Sequence, residues 1–284
     1  MAEIQTINIG SSANDGTGDT IRAGMDKVND NFANFKIEGT NFTGSVIIGH
    51  STTGTLNAAT GNTGIGISAL DAITEGDNNV AVGNGALTTL TTGADNVVVG
   101  SAAGVALSTG SFNIAVGKGA LASEDGHGKN IAIGYSALNT INAGVDAHNI
   151  AIGYNAGLSI STAVRNTLVG NFTGDALTTG LYNVAIGYGA LSAEDAHGRN
   201  VAIGFSALAA LNAGADAYNT AIGYNAGLNV STGLYNTIIG GLAGDALTGG
   251  GYNVAIGYSA LSTENGHGTN VAIGYQALKD LDAG

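Results

Sequence analysis

Three segments of the 284-residue chain bring carboxylates and an imidazole within four residues of one another and recur at a 70-residue spacing: Glu124-Asp125-Gly126-His127, Glu194-Asp195-Ala196-His197 and Glu264-Asn265-Gly266-His267. Carboxylate oxygen and imidazole nitrogen together suit a divalent metal, which makes His127, His197 and His267 the candidate ligands. Two features weigh against a metal. The third segment replaces one carboxylate with Asn265, and the glutamate stands where related segments carry Leu107, Ile141, Leu177 and Leu211. A polar residue in an otherwise apolar column is expected where a turn leaves the core. These segments are therefore read as solvated or inter-subunit turns, and no metal or cofactor is assigned.

Tyrosines supply the second candidate chemistry. Tyr135, Tyr154, Tyr188, Tyr224, Tyr258 and Tyr275 occupy one position of the repeat described below, and Tyr182, Tyr218, Tyr235 and Tyr252 occupy another. Exposed rings can stack on sugars, so Tyr135, Tyr188 and Tyr258 are candidate glycan contacts; rings stacked on each other also stabilise the fold by themselves, and that reading is favoured. Catalysis finds little support. Glycosidase chemistry needs two carboxylates facing one cleft about 5 to 10 Å apart, whereas Glu194 and Asp195 are chain neighbours. No nucleophile elbow or phosphate loop is present.

Composition narrows the partners. The balance of 8 Lys and Arg against 21 Asp and Glu gives a net charge of −13, so neither nucleic acid nor an anionic membrane surface is an expected partner. Cysteine is absent, which excludes disulfide and zinc-knuckle scaffolds. Hydrophobic residues at 44% are too many for disorder, yet no apolar run reaches the ~18 residues of a membrane span. A packed, soluble chain without membrane insertion is expected, and the amino-terminus has no signal-peptide pattern.

The element that must position the tyrosines and the Glu-His segments is a repeat. The unit Asn-Val-Ala-Ile-Gly-Tyr-x-Ala-Leu begins at Asn62, Asn79, Asn96, Asn113, Asn130, Asn149, Asn166, Asn183, Asn200, Asn219, Asn236, Asn253 and Asn270, in steps of 17 residues with two of 19. Ser45-Val46-Ile47-Ile48-Gly49 is a degenerate earlier unit, giving about fourteen. The 19-residue steps lie 70 residues apart, so segments 130–199 and 200–269 look like a duplication. Position four is always Ile or Val, position five always Gly, and position eight Ala except at Thr173.

Alternation of β-branched with small residues has period 2 and predicts a strand. The expected fold is all-β: a parallel β-roll, or β-solenoid, of about 14 coils stacked at ~4.8 Å into a rod of roughly 65 Å. Each coil is expected to hold two short strands and two turns. Ile and Val are expected to fill the core, Asn to form an amide ladder at a corner, and Gly to allow the tight bend. A core this thin predicts self-association, expected through the constant Ala and Gly.

Residues 45–284 form this repeat domain, and residues 1–44 do not repeat. A short helix over about 20–35 is predicted, capped by Asp19. Its apolar seam is Ile21, Met25, Val28, Phe32 and Phe35, and two heptads are too few to stand alone. The segment is expected to oligomerise or to dock on a larger assembly.

Two resemblances follow from these residues. The unit Asn-Val-Ala-Ile-Gly-Tyr-x-Ala-Leu over 45–284 resembles the head repeat of trimeric autotransporter adhesins, whose heads are three intertwined left-handed parallel β-rolls; those heads use shorter coils. The stretch Asn14-Asp-Gly-Thr-Gly-Asp-Thr-Ile-Arg-Ala-Gly-Met-Asp-Lys-Val-Asn-Asp-Asn-Phe32 is similar to the amino-terminal region of many bacteriophage tail-fibre and virion structural proteins. Together they imply a non-enzymatic, homotrimeric virion fibre, anchored to other tail proteins by residues 1–44 and supporting attachment to a host-surface glycan or protein. The alternative is the head of a bacterial surface adhesin; a polysaccharide-degrading tailspike is a less favoured third reading. The sequence stops inside a turn at Gly284, and a receptor-binding tip is expected to lie beyond it.

Overall fold

A computed structural model of the protein describes residues 35–39, 42–48 and 58–281. Its strands belong to one sixteen-stranded sheet. The first four are β1 (Phe35–Gly39), β2 (Phe42–Ile48), β3 (Ala59–Thr60) and β4 (Thr63–Ile65). Twelve three-residue strands follow, one per repeat, from β5 (Val80–Val82) to β16 (Val271–Ile273). From β2 onward neighbours are parallel and in register, as in Val80↔Val97, Ala81↔Val98 and Val82↔Val99. The 19-residue step keeps the same register, pairing Ile131 with Ile150 and Ile133 with Ile152, so its two extra residues are absorbed in a turn. The chain is a parallel β-solenoid.

Among the described residues there is no helix, and hence none long and apolar enough to cross a membrane. The expected helix over 20–35, with Ile21, Met25, Val28 and Phe32, lies outside them. Phe35 departs from that expectation: it opens β1, which pairs antiparallel with β2 through Phe35↔Ile48 and Ile37↔Val46. An antiparallel partner satisfies the backbone edge of the first parallel strand, which would otherwise be unpaired.

The sheet corrects the expected facing of the repeat. The residue at position three is buried in every three-residue strand, and positions two and four are not. Ala81, Ala115, Ala151, Ala185 and Ala255 have no exposed surface, whereas Ile65, Val97, Ile152 and Ile186 remain 37–43% exposed. Ile and Val therefore line the outside of the sheet. The physical reason is thickness. The far side of the coil delivers Ala at position eight in all but one coil, Leu at position nine in most and Leu or Ile at position twelve in most, such as Ala137, Leu138 and Ile141, all fully buried. Against those side chains only a small residue fits inside the strand.

The second strand expected in each coil is instead a series of turns, tied to the next coil by bonds such as Leu87 N–H to the Ala103 carbonyl (3.2 Å). Leu87, Leu121, Leu138 and their equivalents sit there with φ near +50°. That region disfavours bulky side chains, and burial of the leucine holds it.

The asparagine ladder forms as the spacing predicts. Each buried Asn Oδ1 accepts the backbone N–H of the Asn one coil on, as in Asn96 to Asn79 (3.1 Å) and Asn183 to Asn166 (2.8 Å). Asn166 Nδ2 donates to Asn149 Oδ1 (3.3 Å) and to the Gly180 carbonyl (2.9 Å), so the amide bridges both walls of the coil. The glycine at position five is required twice over. Gly170 has φ +140°, and a Cβ placed on it would lie 2.4 Å from the Gly187 carbonyl oxygen of the next coil.

Candidate functional site

The Glu-His turns do not leave the core. Glu124 and Glu194 are fully buried in the position-twelve column that Leu107, Ile141, Leu177 and Leu211 also fill. Such a carboxylate needs donors. Glu124 Oε1 accepts the His127 N–H (3.1 Å), Glu194 Oε1 the His197 N–H (3.0 Å), and Glu264 Oε1 the N–H groups of His267 (2.9 Å) and Gly266 (3.2 Å). The glutamate thus stitches its own turn closed. The expectation that these segments form solvated turns is corrected for the glutamates, while Asp125 and Asp195 are exposed and His127 and His197 half-buried.

Burial pushes the Glu124 carboxyl above its ordinary value, against the opposing pull of backbone donors at His127 and Ala143 and of the His127 ring; the Asp125 charge adds to the rise. Glu194 is raised for the same leading reason. The imidazole Nδ1 lies 3.7 Å from Glu124 Oε1 in the first turn, 3.6 Å from Glu194 Oε1 in the second and 3.2 Å from Glu264 Oε1 in the third.

Ligand atoms of Glu124, Asp125 and His127 lie within 4.8 Å of one another, and so do those of Glu194, Asp195 and His197. The donor set fits a metal poorly. The glutamate oxygen nearest the imidazole is already engaged by a backbone N–H, and Asn265 removes the central carboxylate from the third copy. His127, His197 and His267 are accordingly placed in a structural turn.

The tyrosine columns form the stacked ladders that their spacing implies. Tyr135 and Tyr154 stack at 5.2 Å between ring centroids, Tyr188 and Phe205 at 5.4 Å, Phe205 and Tyr224 at 5.5 Å, and Tyr258 and Tyr275 at 5.8 Å. Phe172 enters edge-on between Tyr154 and Tyr188. Stacking consumes ring faces. Tyr135, Tyr188 and Tyr258 are half-exposed, and each has at least one face against a neighbouring ring, so what they offer a glycan is chiefly hydroxyl and ring edge. The second column carries Tyr218, Tyr235 and Tyr252, stacked at 5.3 and 5.0 Å. Below them the Arg199 guanidinium sits 5.5 Å from both the Tyr182 and the Tyr218 ring centres, a cation–π sandwich. Arg199 also pairs with Asp216, and Lys129 with Asp146 at 2.6 Å, which holds the Asp146 carboxyl below its ordinary value.

Between the two ladders runs the feature that sequence reasoning placed on the wrong face: the outward Ile and Val of positions two and four. All thirteen residues at position four and nine of thirteen at position two are Ile or Val, the rest Thr. Period-2 alternation shows that a strand has two faces and is silent on which is inside. The available signal was size, since the residue that packs against a neighbouring column of Leu must be small. Thirteen coils at ~4.8 Å and a lateral step of about 7 Å between alternate residues make this strip about 58 Å long, on the order of 400 Å² before the flanking rings are added. That is already the size of the largest apolar patch on a typical monomer. No family model, curated protein or solved structure matches the chain.

Proposed function

We propose that the protein is a structural fibre whose copies associate as a homotrimer through the outward Ile and Val strip. The strip is the observation that carries the reading. It runs unbroken from β4 to β16 on a chain that otherwise bears a net charge of −13. A one-sided rod of this kind buries its exposed columns most fully against copies of itself, because all columns share one spacing and meet in register. The number three rests on the resemblance of the repeat to trimeric adhesin heads. The virion setting, with residues 1–44 bound to other tail proteins and the rod supporting attachment to a host-surface glycan or protein, rests on the resemblance of Asn14–Phe32 to tail-fibre amino-termini.

Solution mass tests the first part. Sedimentation equilibrium is expected to return three times 27.8 kDa. The triple variant Ile133→Asp, Ile186→Asp and Ile239→Asp is expected to be monomeric with an unchanged far-ultraviolet dichroism spectrum, since each side chain is at the surface of the single coil. A wild-type monomer overturns the reading. Labelling residues 1–35 on intact particles tests the second part: label at the free distal end overturns the anchor. Release of oligosaccharide from host capsule by the purified protein would favour the tailspike instead.

A further inference from the structure

The Tyr218–Tyr235–Tyr252 ladder stops without a cap. The next residue in that column is Thr269, so the outer face of Tyr252 has no ring above it. Tyr252 is 64% exposed, against 43–46% for Tyr182, Tyr218 and Tyr235. Beside this bare face lies a recess of about 370 Å³ whose lining includes Thr232, Gly249, Gly251, Gly268 and Thr269.

The duplication shows what the recess lacks. Seventy residues earlier the same positions hold Thr179, Leu181, Tyr182, Gly198 and Arg199. There Leu181 packs against the core, and the Arg199 guanidinium covers the Tyr182 face at 5.5 Å. Exchange of Leu181 for Gly251, and of Arg199 for Thr269, removes both the filling side chain and the planar cap while the backbone is kept: Arg199 has φ +63° and Thr269 φ +66°.

We propose that this recess binds one pyranose ring of a neutral glycan, with the C–H face of the sugar on Tyr252. A free aromatic face over a glycine floor admits a flat ring of carbon-bound hydrogens. The threonines supply the polar rim: Thr232 Oγ1 would lie 3.4 Å from a Cβ on Gly249, and Thr269 Oγ1 donates to the Gly268 carbonyl (2.6 Å), which leaves its lone pairs to accept from a sugar hydroxyl. No charged side chain lines the recess, so an acidic sugar finds no counter-charge there. This site deepens the attachment reading and depends on it only for where the glycan comes from. One such site per copy makes the affinity of a single copy low, and a multivalent rod compensates by avidity.

Saturation-transfer NMR on the full chain, with the methyl glycosides of glucose, galactose, mannose and N-acetylglucosamine offered in turn and methyl glucuronide as the acidic control, tests the proposal. Transfer to at least one neutral glycoside is expected, without transfer to the glucuronide. Tyr252→Ala and Thr269→Arg are each expected to weaken it at least tenfold, the second by restoring the cap seen on Tyr182; the melting temperature of T269R is expected to be unchanged and that of Y252A slightly lower, through loss of the ring stack on Tyr235. Absence of transfer to all four neutral glycosides overturns the site, as does undiminished transfer from T269R. Solution mass is read separately, so failure of self-association and failure of this site are told apart.

Discussion

A buried glutamate in a leucine column is the residue-scale anomaly of this molecule. Glu124 spends backbone donors on its own turn and still carries a carboxyl raised by burial. A raised carboxyl means that the folded chain holds its proton more tightly than the unfolded chain, so stability falls as pH rises from the ordinary value of 4.5 through the raised one. Glu124→Gln keeps the acceptor for the His127 N–H (3.1 Å) and removes the charge. The variant is expected to be more stable than wild type at pH 7 by about 1 kcal/mol, to lose that advantage below pH 4.5, and to show a flatter dependence of melting temperature on pH. An advantage that persists unchanged into acid would show that the glutamate charge is not what costs stability there. The sequence made the Glu-His grouping legible because its spacing is regular. Its burial was not, because a polar residue in an apolar column signals a turn either leaving the core or closing within it, and only the backbone donors at His127 decide between these.

At the scale of the coil, the strand core and the facing turn trade volume. Most coils pair Ala at position three with Leu at position nine, as in Ala132 with Leu138. Two of the exceptions pair Leu168 with Gly174 and Ile238 with Gly244. Leu168 also reaches into the preceding coil: a Cβ on Gly157 would lie 2.9 Å from its Cδ1, and one on Gly174 3.0 Å from its Cδ2. One leucine thus fills the space two glycines leave. Leu168→Ala is expected to cost about 3–5 kcal/mol through the cavity it opens. Adding Gly157→Leu and Gly174→Leu is expected to recover most of that loss, because leucine is accommodated at φ near +50° in the same column elsewhere. In the wild-type background each glycine substitution alone is expected to destabilise by about 1–3 kcal/mol through overpacking. Urea titration of the four variants measures this, and additive losses would refute the exchange. The strands themselves were legible in the repeat, as were the Asn ladder and the glycine bend, since each depends on residue type at one column. Which sheet face is inside was not, since that depends on what the far wall of the coil delivers.

Across the whole rod, each coil touches only the coils before and after it, and the backbone partners of Asn183 come from Asn166 and Asn200 alone among the asparagines. Stability in such an array is a sum of coil terms and nearest-neighbour terms. The duplication then makes a sharp prediction possible. Deleting residues 200–269 joins Arg199 to Asn270 and sets the coil of Ala272 directly on that of Ala185, the neighbour position that the equally small Ala202 holds in the intact chain. Every column stays in register, including the position-twelve column, where Leu281 replaces Leu211 as the residue above Glu194. The shortened chain is expected to fold cooperatively with wild-type dichroism per residue, and to be shorter by four coils, about 19 Å, in small-angle scattering. Deleting residues 202–270 instead joins Val201 to Val271 and puts a one-residue slip inside the strand, where the turn that absorbs the two extra residues of the 19-residue step cannot take it up. That slip turns Ala272 outward and drives Val271 into a space too thin for it. The last coil of that variant is expected to detach, with loss of protection in its amides by hydrogen exchange. If both deletions fold equally well, the columns do not set the register, and the exposed Ile and Val strip loses its status as a continuous face.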